Sequence, residues 1–291
     1  MIVAILLILV AVGTVVFHFA SPWWWTPIAS NWGYIDDTII LTFWVTGVVF
    51  IAVILFMAYC IVKFRYKEGN RAEYEPENKK LEWWLTILTG LGVAAMLIPG
   101  LFVWNQFVSV PEGAAKIEVM AQQWQWGFRY PGKDGILGKS EIKFINDDNP
   151  FGLNPDDPNG QDDVLVEGDE LHLPMGEPVE VLLRSLDVLH DFYVPQFRAK
   201  MDMVPGMITY FWLTPTRTGT FDIMCFELCG VGHYAMRSNV VVETKESFEE
   251  WLAEQETFAK TMARAKIVPR QTASLALKDD NKNKSKTRAP Q

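Results

Sequence analysis

Between positions 225 and 236 the chain reads CFELCGVGHYAM. Two thiols, an imidazole and a thioether share one short run, spaced Cys-x3-Cys-x3-His-x2-Met. Thiolate, imidazole and thioether together select copper over calcium, magnesium or manganese, which prefer oxygen donors. A mononuclear copper loop supplies one Cys, one His and one Met; here the cysteine is doubled, and two thiolates can bridge two ions that share an electron. The same residues permit two plainer readings. One is a disulfide between Cys225 and Cys229, closing a five-residue loop. The other leaves His233 and Met236 as ordinary loop residues. Cys60, the remaining cysteine, lies in an apolar stretch and reads as packing.

Two bridged ions each need a terminal imidazole, so a second histidine is required. The chain holds four: His18, His172, His190 and His233. His18 ends an apolar stretch, and His172 sits in the alternating run ELHLP, as a strand-surface residue would. His190, in SLDVLHDFYVP (185–195), lies just past a predicted strand and beside an aromatic-proline turn, which makes it the best candidate. On its own, a histidine there reads as structural.

Strands must hold these residues. Alternation of β-branched and aromatic side chains predicts them near 116–121, 178–184, 208–213, 219–224 and 238–243. The last two flank the ligand run, and a tight loop between neighbouring strands can aim several side chains at one centre. Short strands punctuated by Pro and Gly predict a sandwich or Greek-key barrel. Residues 146–163 (NDDNPFGLNPDDPNGQDD) read as an exposed polar excursion, and 245–258 as a surface helix with Phe248, Trp251, Leu252 and Phe258 on one side.

Before the β-rich part lie three stretches free of Asp, Glu, Lys and Arg: about 2–20, 38–62 and 83–104. Each reaches the roughly 20 residues that cross ~30 Å of hydrocarbon. The first lacks a basic leader and a small-x-small cleavage site, so it reads as a retained helix, with a cleaved signal peptide as the alternative. Residues 63–82 carry Lys63, Arg65, Lys67, Arg71, Lys79 and Lys80, whereas 21–37 carry neither Lys nor Arg. By the positive-inside rule the 63–82 loop faces the cytoplasm and everything beyond about 106 faces outward, with Trp23, Trp24 and Trp25 at the outer interface.

The outer part, 106–258, has 26 acidic and 11 basic residues, a formal charge of −15, while the segment from 259 has nine basic and two acidic ones. The acidic balance argues against nucleic acid. It suits either solubility or a cationic partner steered by the field, with acids near the ligand run, such as Asp187 and Asp191, on the docking face.

Three segments in order carry a specific resemblance over roughly 30–245. SLDVLHDFYVP, CFELCGVGHYAM and QQWQWGFRYP (122–131) resemble the S-x-D-V-x-H-x-F/W-x-V-P, C-x-E-x-C-G-x-x-H-x-x-M and Q-W-x-W-x-F/Y segments of subunit II of the heme–copper cytochrome c oxidases. The resemblance implies a cupredoxin domain carrying a binuclear CuA centre. Its ligands would be His190, Cys225, Glu227 through its carbonyl, Cys229, His233 and Met236. Cys225 and Cys229 would bridge, His190 and a weak Met236 would serve one copper, and His233 and the Glu227 carbonyl the other. The Glu227 side chain would be free to reach a magnesium ion shared with the catalytic subunit. Trp124 matches the tryptophan through which electrons enter from cytochrome c, although Trp124 and Trp126 also read as alternating barrel residues. Gln122 and Gln125 depart from the family pattern without touching the ligands. Glu82 matches a carboxylate at the cytoplasmic mouth of a proton path; an acid at a helix start is equally favoured by the helix dipole.

The resulting expectation is a helical membrane anchor over 1–106, a Greek-key β-barrel cupredoxin CuA domain with a C-terminal surface helix over 107–258, and a disordered polar tail over 259–291. The resemblance implies an electron-entry subunit of a respiratory oxidase in a bacterial inner membrane, with its copper domain periplasmic, coupled to proton translocation. Its partners would be a heme–copper subunit I, other oxidase subunits and a basic cytochrome c. Alternatives are a CuA subunit of a nitric oxide reductase and a membrane-anchored copper-delivery protein; a quinol oxidase subunit would lack the copper ligands. All six candidate ligands fall within 107–258, so that fragment is expected to fold and bind copper without the spans.

Overall fold

The computed structural model describes residues 1–21, 26–71, 74–146, 148–167 and 170–264. The Trp23–Trp25 cluster and most of the predicted tail, 265–291, lie outside them. Contacts divide the chain into two units: Met1–Ile28 with Trp32–Phe107, and Ala29–Asn31 with the chain from Val108 onward.

The first unit is helical because its apolar runs leave backbone groups no partner but each other once water is absent. Helices α1 (Ile2–Ala20), α2 (Gly33–Lys63) and α3 (Lys79–Val108) are each long and apolar enough to span a bilayer. At about 1.5 Å per residue, α2 is about 46 Å long. It thus outruns the hydrocarbon by a turn or more at each end, as its terminal Asp36 and Lys63 require. Their side chains Leu9, Phe43, Phe56, Leu88 and Phe102 are exposed, a surface suited to lipid rather than water. α1 packs on α2, with Ala4, Ala11 and Ala58 buried, as small residues allow close helix approach. Asn78 caps α3 by accepting from the Leu81 N–H, and Glu82 lies exposed in its first turn.

The second unit is a β-sandwich of two five-stranded sheets. In the first sheet β1 (Ala115–Gln122) is central, parallel to β5 (Val179–Ser185) and antiparallel to β2 (Gln125–Tyr130). The edges are β3 (Val164–Glu167) and β8 (Thr209–Leu213). The second sheet runs β4 (Leu171–Pro174), β10 (Arg237–Glu243), β9 (Gly219–Cys225), β6 (His190–Val194) and β7 (Ala199–Met203). The inner faces meet through Trp126, Phe192 and Phe211. Period-2 burial is clean in β5, where Val179, Val181, Leu183 and Ser185 point inward. The same phase in β9 buries Phe221, Ile223 and then Cys225, so the strand itself delivers the first cysteine inward.

Two expectations change. Residues 146–163 are not an exposed excursion, because Phe151 and Leu153 are fully buried beside Met120 and Phe258. The Asn149 side chain holds this turn by accepting from the Leu153 N–H and donating to the carbonyls of Leu153 and Phe144. The polar count of the segment concealed two apolar anchors. The surface helix α4 is Lys245–Glu254, capped by Thr244; a second helical segment then covers 258–264. Phe258 anchors that segment and Met262 packs against the same cluster, so 259–264 belong to the fold rather than to a tail.

A buried charge cluster crosses the first sheet. Arg129 meets Glu118 at 2.9 Å and Asp163 at 3.7 Å, and Arg184 donates to Glu118 at 2.8 Å. Burial pushes Asp163 up to about 6, against the pull of Arg129 and the Gly138 N–H. An acid whose pKa is raised by folding holds its proton more tightly when folded. Its contribution therefore weakens as pH rises from about 4 to about 6. Relative to Asp163→Asn, the parent is expected to lose on the order of 3 kcal/mol across that window. Urea unfolding of both chains in detergent reads this, and a difference that stays constant from pH 4 to pH 6.5 would contradict it.

Candidate metal centre

Three pieces of chain converge at one end of the sandwich. β6 begins with His190, β9 ends with Cys225, and the loop returning to β10 carries Glu227, Cys229, His233 and Met236. His190 lies just past β5 and before the Pro195–Phe197 turn, as the sequence suggests, and it opens a strand the sequence did not predict, β6, buried except for the half-buried Tyr193. A central strand covered on both sides shows no alternation, which is why β6 was illegible. A 3-10 turn, His233–Ala235, folds the loop back so that His233 and Met236 face the cysteines.

The donor atoms surround two sulfurs. Cys225 Sγ lies 3.6 Å from Cys229 Sγ and 3.8 Å from His190 Nδ1. The Glu227 carbonyl oxygen is 3.3 Å from Cys225 Sγ. Cys229 Sγ lies 3.6 Å from His233 Nδ1 and 3.9 Å from Met236 Sδ. The ligand atoms of His190, Cys225 and Cys229 all fall within 4.8 Å of one another. Every one of the six predicted ligands is therefore in the cluster. His190, Cys225, Cys229 and Met236 are buried, while Glu227 and His233 are half-buried.

Sulfurs 3.6 Å apart are free thiols, since a disulfide holds them at about 2.05 Å. Burial raises both thiols, but His190, the N–H groups of Asp191 and Glu227, and His233 overcome it at Cys225 and bring it down to about 6. Burial and the neighbouring Cys225 push Cys229 up to about 12. The two thiols are thus pulled in opposite directions, and holding both as thiolates becomes favourable when cations are bound. A buried set of two thiols, two imidazoles, a thioether and a carbonyl fits soft, copper-like ions and no hard one.

The remaining ring nitrogen of His190 is also occupied. Its Nε2 is 2.8 Å from Asp187 Oδ1, which also accepts from the Val188 N–H, and Asp187 Oδ2 accepts from the Gln123 N–H at 2.7 Å. A carboxylate on the far nitrogen fixes the ring and its tautomer. Burial lowers the His190 pKa, yet its hydrogen bonds to Cys225 and Asp187 raise it overall. Asp187 and Asp191 are thus not free docking acids: Asp187 orients His190, and Asp191 is fully buried against Lys200 at 2.6 Å. The signal was present as Asp-x2-His, a carboxylate within one turn of a ligand.

Trp124 sits in the hairpin between β1 and β2, 39% exposed, while Trp126 is in the core. Its indole lies on the backbone of Gly230 and Gly232, within the ligand loop. Gln123, next to it, donates from Nε2 to the Cys229 carbonyl at 2.8 Å. His172 is elsewhere, stacked on Trp251 at 3.9 Å and bonded to Glu243. Glu82 lies in the helical unit, exposed in the first turn of α3.

A family model for the periplasmic domain of cytochrome c oxidase subunit II matches residues 115–244. An alternative cytochrome c oxidase subunit 2 from Bradyrhizobium diazoefficiens is 65% identical over 268 residues, covering 92% of this chain and 97% of that one. The cytochrome c oxidase subunit 2 of Cereibacter sphaeroides is 29% identical over 241 residues, covering 78% and 77%. Among solved structures, the periplasmic domain of subunit II of cytochrome oxidase from Bradyrhizobium japonicum is similar, with 25% identity, a TM-score of 0.37, and coverage of 50% of this chain and 94% of that one.

Proposed function

The chain belongs to the cytochrome c oxidase subunit II family, and from that premise we propose that it is the electron-entry subunit of a respiratory oxidase of the bacterial inner membrane. The observation that carries this reading is the convergence of His190, from one strand, on the Cys225–Met236 loop, from another. We propose that His190, Cys225, the Glu227 carbonyl, Cys229, His233 and Met236 hold two copper ions. Such a pair, when bound, accepts and releases one electron at a time.

The chain's own residues do the rest. Asp187 holds the His190 ring so that Nδ1 faces the cysteines. The inward phase of β9 and the bulk of Phe192, which pairs with Cys225 across the sheet, keep water from Cys225, which limits reorganisation when charge changes. Trp124 offers a partly exposed π-system beside the loop and serves as the entry point from cytochrome c. The acidic surface draws that basic donor in, although Asp191, sealed against Lys200, takes no part in it. Electrons leave to heme in subunit I, where dioxygen is reduced and protons are translocated. The Glu227 side chain is assigned to a magnesium ion shared with that subunit, and Glu82 to the mouth of a proton path.

Purification from native membranes tests this. The chain is expected to co-isolate with a heme-bearing subunit, to contain two coppers, and to be reduced by ferrocytochrome c. A chain that isolates alone with a single copper would be a delivery protein instead.

A further inference from the structure

The ligand loop is CGVGH, and its two glycines lie under Trp124. A Cβ built on Gly232 would sit 2.3 Å from Trp124 Cδ2, 2.6 Å from Cγ and 2.8 Å from Cε3. Those are ring atoms of a side chain that cannot bend away, so any residue but glycine there must displace the indole. A Cβ on Gly230, at φ +121°, would stand 3.0 Å from Gln123 Nε2 and 3.2 Å from Trp124 Cζ2. Gly230 is also required by its own backbone, at φ +121° and with its carbonyl accepting from the His233 N–H, whereas at Gly232, with φ −91°, the demand comes from the indole. What they make is a flat bed of backbone, and Gln123 fastens the indole to it through the 2.8 Å bond to the Cys229 carbonyl.

We propose that Gly232 and Gln123 are positioning residues for electron entry: together they seat the Trp124 indole against the backbone of the ligand loop and thereby set the gap that an incoming electron crosses. This rests on the reading of the centre as an electron acceptor with Trp124 as its entry. The step is a single-electron transfer. A reduced heme protein would lose one electron and the copper ions, when bound at Cys225 and Cys229, would take it up, with no bond or proton changing place. The route runs from the indole through the Gly230–Gly232 contact, or along the chain to Gln123 and across its hydrogen bond to Cys229.

The test uses the full-length chain in detergent, as parent, G232A, Q123L and W124F. In metal-free, 15N-tryptophan-labelled chain, the Trp124 indole N–H resonance is identified by its loss in W124F, and it is expected to shift in both G232A and Q123L. In copper-loaded chain, photoreduced cytochrome c is expected to deliver its electron about tenfold more slowly in G232A. Electron transfer across a gap decays exponentially with its length, so pushing the indole off the loop backbone slows the transfer without removing any charge. Copper content, the spectrum of the centre and the affinity for cytochrome c should stay at parent values. In a W124F background, adding G232A should slow transfer no further. Should G232A fail to fold, Q123L carries the same comparison, since it removes the amide without adding bulk. Slowed transfer in W124F with an unchanged rate and resonance in G232A and Q123L overturns the seat alone. An unchanged rate in W124F overturns Trp124 as entry, and the seat's role in transfer with it.

Discussion

Serine at position 225 or at position 229 is expected to abolish the two-copper centre while leaving the sandwich folded. The two side chains differ little in volume, Cys225 and Cys229 are buried at a strand end and in a loop, and a hydroxyl at 225 can donate to the same Glu227 carbonyl that the Cys225 sulfur meets at 3.3 Å. Metal binding is another matter. At 3.6 Å apart, the two sulfurs are close enough for both to reach the same ion, and a hydroxyl is a hard donor that stays protonated where a thiolate would not. Copper content is expected to fall from two per chain to one or none, with loss of the sulfur-to-copper absorption and an unchanged far-UV spectrum. Met236→Leu is a sharp contrast. Its Sδ lies 3.9 Å from Cys229 Sγ at the margin of the cluster, so it should retain both coppers and shift the potential only. A Cys225→Ser chain that kept two coppers and the parent spectrum would remove this loop from consideration.

The site was more legible than the fold that holds it. A ligand set is written in residue types, and Cys-x3-Cys-x3-His-x2-Met has few other uses. Strands are written in periodicity, which fails where burial is two-sided, as in β6, or where the run is only four residues, as in β3 and β4. The same blindness affected charge. Asp187 and Asp191 counted as −2 toward a docking field, but one orients a ligand and the other is sealed against Lys200. Net charge sums over residues without knowing which are inside. Composition likewise made 146–163 look exposed, because Phe151 and Leu153 are outnumbered by the polar residues that turn the chain around them. Gly232 was invisible for a different reason, since its importance lies in what another residue needs it not to have.

The sequence also concealed that the copper-binding unit is discontinuous, and this alters the expectation for an isolated fragment. Residues 29–31, between α1 and α2, are part of the β unit. Ala29 donates to the Gln196 carbonyl at 2.7 Å and accepts from the Thr216 N–H at 2.9 Å. Asn31 donates to the Thr214 carbonyl, and its side chain accepts from the Thr214 N–H. Ser30, buried, donates from Oγ to the Phe197 carbonyl at 2.7 Å. A fragment beginning at Val108 would leave all these partners to water or, at the buried Phe197, to nothing. At about 1 kcal/mol net for each of these hydrogen bonds, less about 1 kcal/mol or more for ordering each of the three residues, the fragment 108–264 should be less stable than the same unit in the full chain by up to about 2 kcal/mol. The damage falls on the strand that His190 begins, at its far end, where Gln196 and Phe197 follow Val194. Copper should therefore dissociate faster from the fragment in the presence of a chelator, and a peptide spanning 26–32 added in excess should slow that loss by mass action. Equal chelator kinetics for the fragment with and without the peptide, at equal unfolding midpoints, would mean that the connector merely rests on the domain and that the ligand strand stands without it.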